Sequence, residues 1–559
     1  MTAPKPALSE LPIKRAETGF YRGFSIDVTV ASKIIISALV VWAIFWPVQA
    51  GETLGDWNTL ILANFAAWYI WAVALFVTVC IGLAIWPAAG RLNLGRPGEK
   101  PDFSNFSWFS MMFSAGIGVG MLTWAVAEPV THFANNPEVI QGLTTGGGAD
   151  NVRMAYKWSF LHWGFGAWSC YAIAGLSMAF FSYRRALPLT IRSSLTPIFG
   201  KVLSGPLGHL IDIVAVVATI LGVAQTLGFG AEQFVAGLTR IGIGGLVNAD
   251  GTTNSSGIVI ALILIMGAST LSALSGVRKG IKWLSNINMF LSIILLGFLI
   301  IFGSTFFGGS ALLFGIWDYV IALPQMSINV WGTDGVEGSE AFLLTQWQGS
   351  WPVFYWAWWI AFAPFVGLFL ARISRGRTIR EFVLGAMFVP SLMCFIWFAW
   401  AGGTAIDLEL NGGANGLILD TANGDKIFAM TAFILAPIGE WLAWGMALLI
   451  VVLLMTFLVT SADSAVLIVN TINAGGDEGP KARPHILFWG AALGLVVVGL
   501  LISGGTEAIK MAMVIGALPF SIVMVLMCFA LVMAIYYDGR REAAGVQTTF
   551  ASDNSMPAG

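Results

Sequence analysis

Four tryptophans stand within nine positions of one long apolar segment, residues 351–367, which reads WPVFYWAWWIAFAPFVG. They are Trp351, Trp356, Trp358 and Trp359. The faces of indole rings attract cations, and a quaternary ammonium group, which cannot donate a hydrogen bond, is typically bound by a cage of such rings. Tryptophan is also enriched where membrane helices meet lipid headgroups, so an interfacial belt is the alternative explanation.

A second segment, LHWGFGAWSCYAIAG, adds three more large aromatic side chains. At 100° per residue, Trp163, Trp168 and Tyr171 fall within about 140° of arc on one helix. By the same geometry, four side chains of the tryptophan-rich segment share an arc of about 120°. These are Trp358, Trp359, Phe362 and Phe365. The two aromatic faces could form a box around a cation if their helices are neighbours.

Hydroxyl groups cluster in a third apolar segment, FLVTSADSAV, where Thr460, Ser461 and Ser464 surround Asp463. Adjacent hydroxyls that face an unwound helix would make a hard oxygen site for a small cation. Alternatively, each hydroxyl bonds back to the preceding helical turn, as is common in membrane helices.

The segment SAGIGVGML carries Gly116, Gly118 and Gly120 at alternate positions. Each glycine costs about 1 kcal/mol against alanine in a helix, so the pattern predicts a discontinuous helix here. Unwound backbone inside a membrane is tolerated where it lines a cavity, and it presents carbonyls to ions and amides to substrate. Close helix packing through small residues is the alternative explanation.

The composition sets the frame for these segments. Of 559 residues, 57% are hydrophobic and only 10% are charged, which is typical of a polytopic all-α membrane protein. With a net charge of −2, the protein is not expected to bind nucleic acid. The four cysteines and four histidines are scattered along the chain, so we expect neither a disulfide framework nor a metal site.

Windows of about 20 apolar residues predict twelve membrane spans. They lie near 28–48, 62–87, 107–131, 153–183, 208–238, 256–275, 285–308, 350–371, 382–403, 440–470, 484–503 and 508–537. Lys and Arg concentrate in the N-terminal tail and in alternate loops, which places both termini in the cytoplasm of a multi-pass inner (plasma) membrane protein. The long loops 309–349 and 404–439 are expected to carry short external helices.

Four carboxylates fall inside predicted spans, and such groups serve function or hold helices together. They are Glu128, Asp212, Glu232 and Asp463. Glu128 precedes Pro129 near the outer end of its span, which suits a capping or a gating role. The spans show no convergent nucleophile, base or metal set, and no soluble output domain is present. We therefore expect neither an enzyme nor a sensor.

Together these segments resemble the betaine/choline/carnitine transporter family. The matching stretches, in the family's order, are MMFSAGIGVGML, AEP, LHWGFGAW, GFGAEQ, FYWAWW with PFVGLFLARISRGRTIREF, and TSADS. The resemblance implies a leucine-transporter-type core of two inverted five-helix repeats, a homotrimer, and alternating access around a site at mid-membrane. The implied parts are a tail (1–27), two peripheral helices (28–87), the repeats (107–308 and 350–537) and a second tail (538–559).

By motif, the resemblance implies a cation box beside the glycines of the broken span. The box residues are Trp163, Trp168, Tyr171 and Trp359, with Gly116, Gly118 and Gly120 next to them. Trp358 would contact substrate during transit. Phe362 stands where the family usually has Trp, which weakens the ring quadrupole along the inner pathway.

The resemblance also implies a coupling sodium site and no other cofactor. Its ligands would be the carbonyls of Ser114, Ile117 and Phe457 and the hydroxyls of Thr460 and Ser461. Phe365 matches a residue near a second sodium site. Sodium-independent exchangers of the family lack this hydroxyl arrangement, so sodium symport is expected. Proton symport and substrate exchange of the choline or carnitine type are the alternatives.

The position of Gly120 bears on the substrate, because choline-preferring relatives resemble each other in carrying Asp there. Glycine favours a zwitterion whose own carboxylate can be met by backbone amides. Glycine betaine and dimethylsulfoniopropionate, a trimethylammonium and a dimethylsulfonium zwitterion, fit that expectation, and carnitine fits it less well. The short C-terminal tail predicts constitutive uptake rather than osmotic activation.

Overall fold

The structure is a computed structural model that describes residues 6–116, 118–248, 253–275 and 280–550, without the side chains of 113–116, 275 and 280–283. Within these ranges it is all-helical and contains no β-strand. The helices are α1 (Ile26–Phe45), α2 (Pro47–Ile85), α3 (Pro87–Gly90), α4 (Asn105–Gly116), α5 (Val119–Ala134), α6 (Pro137–Ile140), α7 (Val152–Trp163), α8 (Phe165–Ala179), α9 (Thr196–Phe199), α10 (Pro206–Arg240), α11 (Ser255–Ser275), α12 (Gly280–Phe302), α13 (Thr305–Met326), α14 (Glu340–Gln348), α15 (Phe354–Ile373), α16 (Ile379–Leu410), α17 (Lys426–Leu435), α18 (Glu440–Asn473) and α19 (Arg483–Ala543).

In the described part of the chain, 11 helical stretches are long and apolar enough to cross a membrane. The all-α membrane class is therefore confirmed. The two long loops contain helices, α13 and α14 in one and α17 in the other. Helix α2 is longer than the second predicted span, near 62–87, because it begins at Pro47. Proline at the first helical position suits this helix start.

The glycine-rich segment breaks its helix as predicted. Helix α4 ends at Gly116, α5 begins at Val119, and Gly118 between them is extended, with φ −150° and ψ −178°. A second break was not predicted. Gly164 separates α7 from α8, with φ −93° and ψ −140°. The arc calculated for Trp163, Trp168 and Tyr171 assumed one continuous helix, and that assumption is wrong.

Helices α8 and α15, which carry most of the predicted box residues, pack closely against each other. A Cβ at Gly367 would lie 2.7 Å from the Cβ of Ala174, and one at Gly175 would lie 2.9 Å from the carbonyl of Gly367. Only glycine allows this approach, in the small-residue packing typical of membrane helices. The aromatic faces of the two helices are consequently neighbours, which the sequence alone left open.

Helix α19 contains a kink that divides its 61 residues. Gly504 has φ 174° and ψ 30°, and Gly505 has φ 69° and ψ −158°. The positive φ at Gly505 lies in the region that favours glycine. The kink falls between the eleventh and twelfth spans that the sequence predicts.

Candidate functional site

A cavity of about 1130 Å³ lies inside the helix bundle, and most of the predicted site residues line it. Near one end it is bounded by Gly118, Gly120, Trp163, Tyr171, Trp358 and Trp359. At the other end it reaches Glu478, Pro480 and Arg483, which are exposed at the surface. The N-terminal segment packs beside that end, since the Arg15 guanidinium donates to the carbonyl of Gly475 at 2.9 Å.

Trp359 is the centre of the aromatic group. Its ring stacks on Trp358 with centroids 5.0 Å apart and an interplanar angle of 8°. Trp163 meets it edge-on at 5.0 Å and 72°, and Tyr171 does so at 6.1 Å and 78°. The three helices α7, α8 and α15 therefore place indole and phenol rings at right angles around one end of the cavity. Such an arrangement presents electron-rich ring faces to a cation.

Trp168, the remaining predicted box residue, takes a different position. It is buried and meets Tyr171 edge-on at 5.4 Å and 76°, but it is not among the residues that line the cavity. As the structure stands, Trp168 supports Tyr171 from behind. Phe362 and Phe365 do line the cavity, further toward the exposed end, with centroids 5.8 Å apart.

Two glycines of the broken helix differ in what surrounds them. A Cβ at Gly120 would lie 3.1 Å from the Trp358 ring and 3.3 Å from the Trp163 ring, which is tighter than normal contact. A Cβ at Gly118 would have no neighbour within 4 Å. Close packing therefore accounts for glycine at 120 but not at 118. The side-chain surroundings of position 116 lie outside the described residues.

The hydroxyl segment of α18 borders the same cavity through Phe457, Thr460 and Ser461. The Thr460 hydroxyl donates back to the carbonyls of Thr456 and Phe457, at 3.0 and 3.1 Å. This is the helical back-bonding that the sequence offered as an alternative. A hydroxyl whose proton points at its own helix still has lone pairs for a cation. Ile117 and the side chain of Ser114 lie outside the described residues.

Several polar side chains that line the cavity, Asn288 and Thr226 among them, were not predicted from the sequence. Asn288 of α12 donates to the Thr460 hydroxyl at 3.4 Å and lines the cavity, as does Thr226 of α10. The available signal was the presence of amide and hydroxyl side chains within apolar spans, a pattern that often marks a functional site. Charge also borders the exposed end, where Arg372 pairs with Glu478.

Two of the four histidines that are scattered along the sequence come together in the structure. His132 of α5 and His162 of α7 converge on the Glu128 carboxylate, and all three side chains are fully buried. His162 Nδ1 lies 2.6 Å from Glu128 Oε1. The 34 positions between Glu128 and His162 hid this contact, because the chain returns through α7 to pack beside α5. The signal available in the sequence was the presence of the Glu128 carboxylate inside a predicted membrane span.

The other carboxylates inside spans are each partnered. Asp212 pairs with Arg192 at 2.7 Å, with both side chains fully buried. Asp463 accepts a hydrogen bond from Ser272 of α11 at 2.6 Å. Glu232 bonds to Thr506 of α19. These three join neighbouring segments of the chain, and none is among the residues lining the cavity.

An aromatic and hydroxyl-lined cavity beside a broken helix, enclosed by apolar helices and reached from one end, defines the class of membrane transporters for small solutes. The sequence matches the family described as BCCT, betaine/carnitine/choline family transporter, over residues 27–540. The chain therefore belongs to this transporter family.

Relatives with transporter names align with most of the chain. The glycine betaine transporter OpuD of Bacillus subtilis is 36% identical over 91% of this chain and 94% of its own length. A glycine betaine transporter of Acinetobacter baylyi is 35% identical over 88% of this chain and 70% of its own length. The osmo-independent choline transporter BetT1 of the same organism is 36% identical, over 86% and 88%.

Proposed function

We propose that this protein takes up a small zwitterion with a trimethylammonium or dimethylsulfonium group, coupled to the entry of sodium. The observation that carries the proposal is the group of rings around Trp359, which opens onto the same cavity as Thr460 and Ser461. One cavity would then bind the organic cation at its aromatic end and sodium at its hydroxyl wall.

The start of α5 supports a substrate that carries its own carboxylate. The first amides of a helix have no partner within that helix, and the helix dipole favours negative charge at this end. In α5 these amides belong to Val119 and Gly120, and both residues line the cavity. Gly120 adds no carboxylate of its own. Glycine betaine therefore suits the cavity better than choline does.

We also propose twelve spans in two inverted five-helix repeats. The count takes α4 and α5 as one span, divides α19 at Gly504 and Gly505, and places α13 outside the membrane. The first span of each proposed repeat then contributes to the site: α4, α5 and the break between them hold the glycines, and α15 carries Trp358 and Trp359. Placing both termini in the cytoplasm makes this an inward-open form, and assembly as a homotrimer is part of the same proposal.

The test is uptake of radiolabelled glycine betaine into liposomes that contain the purified protein. Three conditions separate the coupling modes: an inward sodium gradient, an inward proton gradient, and no gradient with substrate preloaded in the lumen. Unlabelled choline, carnitine and dimethylsulfoniopropionate serve as competitors. We expect accumulation only with sodium, and the strongest competition from zwitterions. Accumulation driven by protons or by preloaded substrate would contradict sodium coupling.

A further inference from the structure

Behind the aromatic end of the cavity lies a fully buried carboxylate, that of Glu128 in α5. Its Oε2 accepts hydrogen bonds from Trp163 Nε1, at 2.7 Å, and from the Tyr355 hydroxyl. Its Oε1 lies 2.6 Å from His162 Nδ1 and 3.4 Å from His132 Nε2. A carboxylate removed from water is costly unless it is hydrogen-bonded, and here four groups from α5, α7 and α15 surround it.

This network reaches two of the three indoles at the aromatic end of the cavity. Trp163 donates to Glu128 directly, and Trp359 Nε1 donates to the carbonyl of His162 at 2.9 Å. The backbone of His162 is thus a partner of one indole, and its ring is a partner of the carboxylate that fixes the other. Glu128 is not among the described residues that line the cavity, so the network acts from behind the rings.

The physical effect of such a carboxylate is twofold. A hydrogen bond from an indole to a charged acceptor is stronger than one between neutral groups, and it holds the ring in one orientation. The negative charge at the N–H edge also adds to the attraction between the ring face and a cation, because charges interact strongly where water is excluded. Both effects favour a cationic ligand over a neutral one of the same shape.

We propose that Glu128 is a positioning residue that makes the aromatic box selective for positive charge. It acts through the Trp163 N–H and through His162 and does not touch substrate. The inference rests on the proposed function, since it assumes that the ligand of the box is a cation.

Glu128, His132 and His162 could alternatively hold a metal ion, because one ligand atom from each lies within 4.8 Å of the others. The geometry favours the hydrogen-bonded arrangement. Tetrahedral zinc with bonds of about 2.0 Å separates its ligand atoms by about 3.3 Å. The separation of 2.6 Å between Glu128 Oε1 and His162 Nδ1 is a hydrogen-bond distance. Both ring nitrogens of His132 lack a hydrogen-bond partner, which makes this alternative worth a direct control.

The test compares two competitors of the same shape in Glu128→Gln. One is glycine betaine, and the other is 3,3-dimethylbutanoate, in which a neutral tert-butyl group replaces the trimethylammonium group. We expect the affinity for glycine betaine to fall about tenfold and that for the neutral compound to change less than about twofold. The KM for uptake should rise while kcat stays within about twofold. Glu128→Asp, which keeps the charge, should recover part of the preference for the cation.

Glu138→Gln is the matched control, because Glu138 also accepts an indole N–H, from Trp158 at 2.6 Å, away from the cavity. It should leave the ratio of the two affinities unchanged. In Trp163→Phe, which keeps a ring but removes the N–H, Glu128→Gln should cost clearly less than in the wild type. That non-additivity would place the effect on the Trp163 hydrogen bond.

Three results would overturn the inference. Equal losses for both competitors would make Glu128 a structural residue, and unchanged affinities would remove its role altogether. Inhibition of uptake by zinc that Glu128→Gln abolishes would make the cluster a metal site. Failure of the proposed function is distinguishable, since Trp359→Ala would then bind glycine betaine as the wild type does.

Discussion

The aromatic end of the cavity and its hydroxyl wall differ in how completely they are built. At the aromatic end, Trp163 and Trp359 are buried, their rings meet at right angles, and each N–H has a partner on another helix or segment. On the hydroxyl wall, Thr460 is only partly buried and its proton is used within its own helix. Rings held in place bind a cation without rearrangement, whereas the wall offers lone pairs whose arrangement depends on the ion.

This difference predicts separate effects on binding. Changes at the aromatic end should alter affinity for the organic cation under all ionic conditions. Changes on the hydroxyl wall should alter only the effect of sodium. A variant in one region that changes both the affinity for the organic cation and the effect of sodium would show that the two regions are one site.

The largest effect is expected for Trp359→Ala. Each desolvated cation–π contact is worth about 2 kcal/mol, so losing the central ring should weaken glycine betaine binding at least about thirtyfold. Trp356→Ala is the matched control, because this tryptophan is equally buried on α15 but packs against Gly166 away from the cavity. Direct binding to purified protein measures both. Near-normal binding by Trp359→Ala would remove the box.

The next effect concerns coupling. Thr460→Ala combined with Ser461→Ala should abolish the stimulation of uptake by sodium and leave binding in sodium-free buffer within about twofold. Thr456→Ala, one turn earlier on α18, also removes a back-bonded hydroxyl but not one that lines the cavity, so it should behave as the wild type. If the double variant keeps its sodium dependence, the hydroxyl wall is not the coupling site.

A smaller effect should separate the two glycines. In Gly120→Ala the new methyl group would crowd the rings of Trp358 and Trp163, so we expect affinity to fall by about three- to tenfold. Gly118→Ala meets open space at a φ that any residue adopts and should change affinity less than about twofold. Equal effects of the two substitutions, measured by the same binding assay, would mean that the glycines serve only the helix break.

The smallest effect is expected for Phe362→Trp. Phe362 lies beside Trp358, with centroids 6.5 Å apart, and lines the cavity toward its exposed end. An indole has a stronger quadrupole than a phenyl ring, so the gain in affinity should be about two- to fivefold. Weaker binding in a stably folded variant would show that this position limits space rather than attraction.

Much of the fold could be predicted from local signals. The length of the apolar segments predicted the membrane helices, and the alternate glycines of 116–120 predicted the broken helix. The break at Gly164 could not be predicted, because it depends on tertiary contacts. A Cβ at Gly164 would lie 2.7 Å from the Tyr319 hydroxyl, which is far away in the sequence.

The site was predictable where a motif lies on one helix. Trp358 and Trp359 are adjacent in the chain and share the cavity wall. The Glu128 cluster joins α5, α7 and α15. The i, i+4 spacing of Glu128 and His132 places those two on one helix face, but nothing in the sequence indicates that His162 meets them. The positions of groups behind a binding surface depend on the packing between helices, whereas a sequence pattern describes one helix at a time.

The most direct measurement is calorimetric titration of the purified wild-type protein with glycine betaine, in sodium buffer and in potassium buffer of equal ionic strength. We expect saturable binding in both and tighter binding in sodium. By reciprocity, glycine betaine should raise the affinity for sodium by the same factor. Equal affinities in the two buffers would contradict sodium coupling, and no saturable binding in either would contradict the aromatic box as a site for this class of cation.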